Sequence, residues 1–234
     1  MQLTLWRAAL AGAGITILSL LGGIVLGAGL GNLTFEILSG HSFLNPNPLH
    51  VLPAALVALV GFSTGSALWG VWMGRLAHSD DTKRMALAGA LGSAPITILI
   101  ALCFQILEPI AVEQLGAQFP IHRLFTFFFV PAAFLIAGVS AWSIGKGLHS
   151  GMTARKLFWL IGLTGALGFL TANLLMEANG WVVGAPDADK RATMLTVLFV
   201  SDFVAALLGG AVLGVVLARS RPITDIALGS PAHS

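Results

Sequence analysis

Charged side chains are what this sequence has least of. Only 9% of its 234 residues are Asp, Glu, Lys or Arg, against 56% hydrophobic, and the mean hydropathy is +0.90. Soluble domains carry about 25% charged residues, enough to cover a surface facing water. A water-soluble globule of this composition is therefore excluded. Tyrosine is absent, and cysteine occurs once, as Cys103 inside an apolar run. A lone cysteine permits no intrachain disulfide and no Cys/His metal pattern, so no metal site is expected. Also missing are H-E-x-x-H, a phosphate-cradling lysine loop and a nicotinamide fingerprint. Neither an enzyme nor a bound cofactor is expected. The net charge of +2 comes from basic residues scattered through short loops. With no basic patch, nucleic acid is not among the expected partners.

What the chain has instead is long apolar runs. A bilayer core of about 30 Å needs roughly 20 apolar residues in a helix. Six runs meet that length, over residues 8–31, 51–74, 85–107, 124–145, 157–176 and 194–218. The first is longer than the roughly 7–15-residue apolar stretch of a signal peptide, so it reads as a retained helix. The expectation is an all-α integral membrane protein whose main partner is the lipid bilayer. Residues 1–218 would form one six-helix domain and 219–234 a flexible cytoplasmic tail.

Lysine and arginine placement gives an orientation. With the N-terminus inside, Arg7, Arg75, Lys83, Arg84, Lys146, Arg155, Lys156, Arg219 and Arg221 fall on the cytoplasmic side, and Arg123, Lys190 and Arg191 outside. Nine against three is the bias that holds basic loops in the cytoplasm. Trp6, Trp72, Trp142 and Trp159 fall at the same helix ends, where indoles anchor at the interface. Both termini are thus expected in the cytoplasm of a cell-membrane protein.

The loops suggest repetition. Glu36, Glu108 and Glu177 each follow an odd-numbered helix, 72 and 69 residues apart, and His50, His122 and Arg191 come fourteen residues after them. An amide, Asn32, Gln105 or Asn173, precedes each glutamate by about a turn. The inner linkers match as well, HSDDTKR from His78 and HSGMTAR from His149. These spacings predict three tandem two-helix hairpins, over 8–76, 85–148 and 157–219, around a pseudo-threefold axis normal to the membrane. Glu36, Glu108, Glu177, His50, His122, Arg191, Asn32 and Gln105 would then form an outer polar layer, closed by cross-hairpin pairs or made of ordinary surface pairs. The Pro-x-Asp/Glu-x-x-Lys/Arg signature of triplicated carriers is absent. Haem is not expected either: 28 residues, or about 42 Å of helix, separate His50 from His78, which puts His50, His122, His78 and His149 at or beyond the interfaces.

Small residues should set the packing. Gly23, Gly27 and Gly31, Gly61 and Gly65, Gly70 and Gly74, and Gly210 and Gly214 each recur every four residues. Such stripes let helix backbones approach closely in lipid. Pro95 and Pro131 lie within spans and should bend them or free a carbonyl.

Ionisable groups inside a membrane helix are expensive and mark function by default. Asp202 is the one acidic side chain well inside a span, some 12 Å deep at 1.5 Å per residue. It should be neutral, or hydrogen-bonded to a neighbour such as Ser201 or Asn173, or facing a wet cavity. Two functions fit these features. One is a small-solute or ion transporter with Asp202, Asn173 and Ser201 as its intramembrane polar site. The other is a noncatalytic scaffold or subunit that packs against itself or against membrane partners through its glycine faces. The topology is tested by cysteines introduced at Ser79, Ser150, Asn45 and Gly184. An impermeant maleimide added to intact cells should modify the last two and miss the first two. Labelling of the C-terminal tail from outside would remove the six-helix reading.

Overall fold

A computed structural model of the chain describes residues 4–39, 48–115, 121–148, 151–179 and 187–219. All of its regular structure is helical among these residues. Helix α1 (Leu5–Gly23) passes through a π-helical turn (Ile24–Gly29) into α2 (Leu30–Ser39). Then come α3 (Pro48–Leu76), α4 (Thr82–Leu115), α5 (Ile121–Gly147), α6 (Gly151–Ala178) and α7 (Asp187–Arg219). Six of these segments are long and apolar enough to cross a bilayer, with α1, the π-turn and α2 counting as one span. Their outward faces stay apolar: Leu10, Leu18, Leu56, Val60, Leu91 and Leu163 are all exposed. An exterior of that kind suits lipid, where only helices with internally satisfied backbones persist.

The helices outrun the apolar runs that announced them. Glu36 lies within α2, Glu108 within α4 and Glu177 within α6, rather than beyond the helix ends. His50, His122 and Arg191 open α3, α5 and α7 as expected. The helix continues through both Pro95 and Pro131. The tail from residue 220 lies outside the described residues, as does His149.

Short connections hold one end together. Residues 77–81 turn α3 into α4: His78 adopts φ 57°, the left-handed region that ends helices, and the Ser79 amide donates to the Gly74 carbonyl at 2.9 Å. The Asp81 carboxylate then caps α4 by accepting from the Arg84 amide at 3.0 Å. The Arg84 guanidinium donates to the Lys146 carbonyl at 3.0 Å, tying the start of α4 to the end of α5. Trp6, Trp72, Trp142 and Trp159 are exposed at this short-loop end.

The spans form a ring in chain order. Each packs on the one before and the one after, and α7 closes the ring against α1. Among the described residues α3, α5 and α7 also touch one another across the middle, whereas α1, α4 and α6 do not. Glycines make the seams. A methyl on Gly12 of α1 would lie 2.7 Å from the Gly214 Cα of α7, and one on Gly214 would lie 2.8 Å from the Gly12 Cα. Gly70 of α3 and Gly89 of α4 face each other so closely that a methyl on either would sit 2.9 Å from the other's Cα. Gly61 and Gly65 of α3 meet the backbone around Gly27 and Gly23. All four of the expected glycine stripes are therefore contact lines, and Gly12 and Gly89 are added partners.

Next to the short loops the ring is solid. Met73, Met85, Ile144, Leu157, Leu213 and Leu217, from α3 to α7, are at most 1% exposed and pack into one cluster with Trp69 and Ile161. Overpacking a close seam costs about 1–3 kcal/mol, while replacing an unpacked helical glycine by alanine gains about 0.5–1 kcal/mol. Gly70→Ala should therefore lower the midpoint of thermal unfolding in detergent, and Gly14→Ala, whose methyl would meet nothing within 4 Å, should hold or raise it.

Candidate functional site

Above this packed plug the ring is hollow. A cavity of about 220 Å³ lies between the spans, walled by residues from α1, α3, α4, α5, α6 and α7. Helix α7 contributes Asp202, Ala205, Ala206, Gly209, Gly210 and Leu213, a stripe at i, i+3, i+4, i+7, i+8 and i+11 that puts them on one face. The four residues between Asp202 and Leu213 in that stripe are Ala or Gly, and their missing side-chain volume helps to leave the space. Phe62, Ser66 and Trp69 form the matching stripe on α3. The π-turn bears on this wall: a methyl on Gly27 would overlap the Phe62 ring, so the ring is accommodated against bare backbone. π-Turns are frequent at functional sites.

Asp202 lies six residues inside the span that begins at Thr196, about 9 Å along the helix. Its side chain is exposed and lines the cavity. Among the described residues nothing donates a hydrogen bond to it and no cation pairs with it. Of the surroundings expected for Asp202 from sequence, a cavity is present. The hydrogen bond to Ser201 or Asn173 is not formed. Asn173 of α6 accepts from the Thr126 hydroxyl of α5 at 2.9 Å. Ser201 is fully buried, and its hydroxyl has no hydrogen-bond partner among the described residues. Val197 and Ala205, one turn to either side of Ser201, pack on α6, which places Ser201 in the α6–α7 seam.

The other polar walls are hydroxyls, and their protons are mostly spent. Thr16 donates to the Gly12 carbonyl at 2.9 Å, Ser93 to Gly89 at 3.2 Å, Thr97 to Ser93 at 2.8 Å and Ser140 to Ile136 at 2.6 Å. Because a carbonyl only accepts, each of these oxygens is left with acceptor capacity alone. The Trp69 indole N–H is also committed, donating to the Thr16 oxygen at 3.2 Å. Ser19 and Ser66 complete the hydroxyl set without such a bond.

The outer polar layer is described only in part. The Asn32 amide donates to Glu36 at 2.9 Å, a bond within one helix and exposed. Glu177 is half-buried at the end of α6. The side chains of Gln105, Glu108, His50, His122 and Arg191 lie outside the described residues. Sequence reasoning missed the hydroxyl walls. Their signal was present: Thr16/Ser19, Ser66/Trp69 and Ser93/Thr97 are polar pairs at i, i+3 or i, i+4 in the middle of three spans.

No protein-family model matches the chain, and no curated protein and no solved structure does so either. The site must be judged on its own chemistry. Its hydrogen bonds make a contrast that thermal unfolding in detergent can check. Thr16→Val removes the acceptor of the buried Trp69 N–H and should cost about 1–3 kcal/mol. Ser201→Ala removes a buried hydroxyl that has no partner and should leave the midpoint unchanged or raised.

Proposed function

We propose that this chain is a multi-pass transporter of the cell membrane that moves a small solute or ion through the central cavity, with Asp202 binding the proton or cation. One observation carries this reading: the acidic side chain set deepest in the spans faces a hollow that water can reach. A carboxylate at the centre of a bilayer costs roughly 2.5–3.5 kcal/mol on insertion scales, less nearer the edge. A carboxylate kept only as a clamp between helices would be held by donors. Asp202 has none among the described residues, so its placement fits a ligand better than a strut.

The packed plug supports the same reading. It seals the short-loop end, so a solute in the cavity would communicate with the other side until the plug rearranged. We assign the short-loop end and both termini to the cytoplasm, supported by the nine-to-three basic bias and the exposed tryptophans gathered there. The mutual approach of α3, α5 and α7, with α1, α4 and α6 kept apart, supports an alternation with three-fold character. The repeat of residues 8–76, 85–148 and 157–219 would have that arrangement.

A second reading, a scaffold within a larger membrane assembly, draws on Gly14, Gly22 and Gly29. A methyl at any of these would meet nothing within 4 Å, which leaves bare backbone for a partner helix. Reconstitution separates the two. Purified protein in liposomes is exposed to rapid exchange of alkali chlorides, alkylammonium chlorides, carboxylates and neutral polyols while charge movement or uptake is recorded. Wild type should respond to at least one class, and Asp202→Asn should reduce that response by at least about tenfold, the loss expected for a charge-assisted contact. The variant should keep the wild-type unfolding midpoint. A folded Asn variant with wild-type flux and pH profile removes Asp202 from the mechanism. A wild type silent to every class transfers the weight to the scaffold.

A further inference from the structure

The cavity's hydrogen-bonding character specifies a ligand more narrowly than its size does. Four of the hydroxyls that line it, Thr16, Ser93, Thr97 and Ser140, keep acceptor capacity alone, that of Thr16 already shared with the Trp69 indole, and Asp202 adds two carboxylate oxygens. The indole N–H is already used, which leaves Ser19 and Ser66 as the free donors. A ligand suited to this wall must donate several hydrogen bonds and carry positive charge. Anions are disfavoured because, among the described residues, no lysine, arginine or histidine lines the cavity. A divalent metal would need several anionic or imidazole ligands, and among the described residues no cluster of three such groups exists. The remaining walls, Leu20, Phe62, Ile136, Ile161 and Leu213, are apolar and would gain nothing from a bare alkali ion. At about 220 Å³ the space is below the roughly 300–1,000 Å³ of drug-sized pockets.

We propose that the cavity binds a small primary ammonium, a protonated alkylamine, with its N–H groups on Asp202 and the hydroxyl oxygens and its carbon chain against Phe62 and the aliphatic wall. Three N–H donors on one cationic nitrogen match a site whose few polar groups are mainly acceptors, and the chain removes apolar surface from water. A quaternary ammonium has the charge without the donors. The corresponding alcohol has a donor without the charge. The proposal rests on the cavity being the solute site but not on the solute being carried across the membrane.

Calorimetric titration of the detergent-purified full chain tests it with propylammonium, tetramethylammonium, propanol, propionate and potassium chloride. Propylammonium should bind at least about tenfold more tightly than each of the others. Asp202→Asn should weaken it by at least about the same factor. The ligand series on wild type decides the matter even if the variant fails to fold. Equal binding of tetramethylammonium or potassium, an unchanged affinity in a folded Asn variant, or no binding of propylammonium would each overturn the proposal. Binding of propylammonium in micelles without flux in liposomes upholds the site and removes transport. Flux of a different class without propylammonium binding upholds transport and removes the amine.

Discussion

Backbone touching backbone is the constraint on which the rest of this molecule depends. Lipid offers no hydrophobic drive between helices, because the surrounding chains are as apolar as leucine, so attraction must come from closely fitting surfaces. The contacts of Gly12 with Gly210 and Gly214, and of Gly70 with Gly89, supply that fit at two seams. The first closes the ring between the first and last spans. It also sets Thr16 beside Gly210, where a methyl would lie 2.5 Å from the threonine oxygen, and so brings an acceptor of one span to the edge of another. Seam and cavity are built from the same stretch of α7. Where α7 must approach α1 it is glycine, and where it must leave a hollow it is alanine and glycine.

That dual use explains what was legible in the sequence. The number of spans could be read because each is a run of apolar residues of bilayer length, and lipid permits such a run only one structure. The four-residue glycine spacing revealed contact lines but not their partners, since Gly12 and Gly89 belong to no such stripe. The π-turn was invisible for a different reason: apolar periodicity does not register a single extra residue within a turn. Asp202 stood out because charge is so rare in the spans. Its surroundings did not, because a hydroxyl that bonds to the carbonyl four residues earlier is a common way to place serine or threonine in a membrane helix. Only the convergence of several such hydroxyls from separate helices distinguishes a site, and convergence is a property of the fold.

The expected polar partners of Asp202 illustrate how sequence proximity misleads on a helix. Ser201 is its neighbour in the chain, but consecutive residues point about 100° apart at 3.6 residues per turn. One therefore enters the α6–α7 seam while the other faces the cavity. Asn173 lies on the adjacent helix and is engaged by Thr126 of a third. That bond satisfies a buried amide carbonyl away from the cavity and fastens α5 to α6. The three residues grouped by polarity serve separate purposes: a seam, an inter-helix fastening and a cavity wall.

The plug and the cavity place opposite demands on the same helices. The plug is made of long flexible or branched side chains at full burial, Met73, Met85, Ile144, Leu157, Leu213 and Leu217. The cavity is made by removing volume a turn or more farther along. Trp69 and Ile161 stand at the boundary, belonging to the packed cluster and lining the hollow. Trp69 is fixed there by its indole bond to Thr16, so the roof of the plug is tied to α1 through the ring's interior. Any motion that separates α1 from α3 must break that bond and also disturb the plug. Methionines suit such a place, since an unbranched thioether repacks at lower cost than a branched side chain. On the proposed transport function, the opening of a passage would therefore begin at the α1–α3 seam. There Gly23 and Gly27 meet Gly61, Phe62 and Gly65, and the helical register has already been loosened by the π-turn.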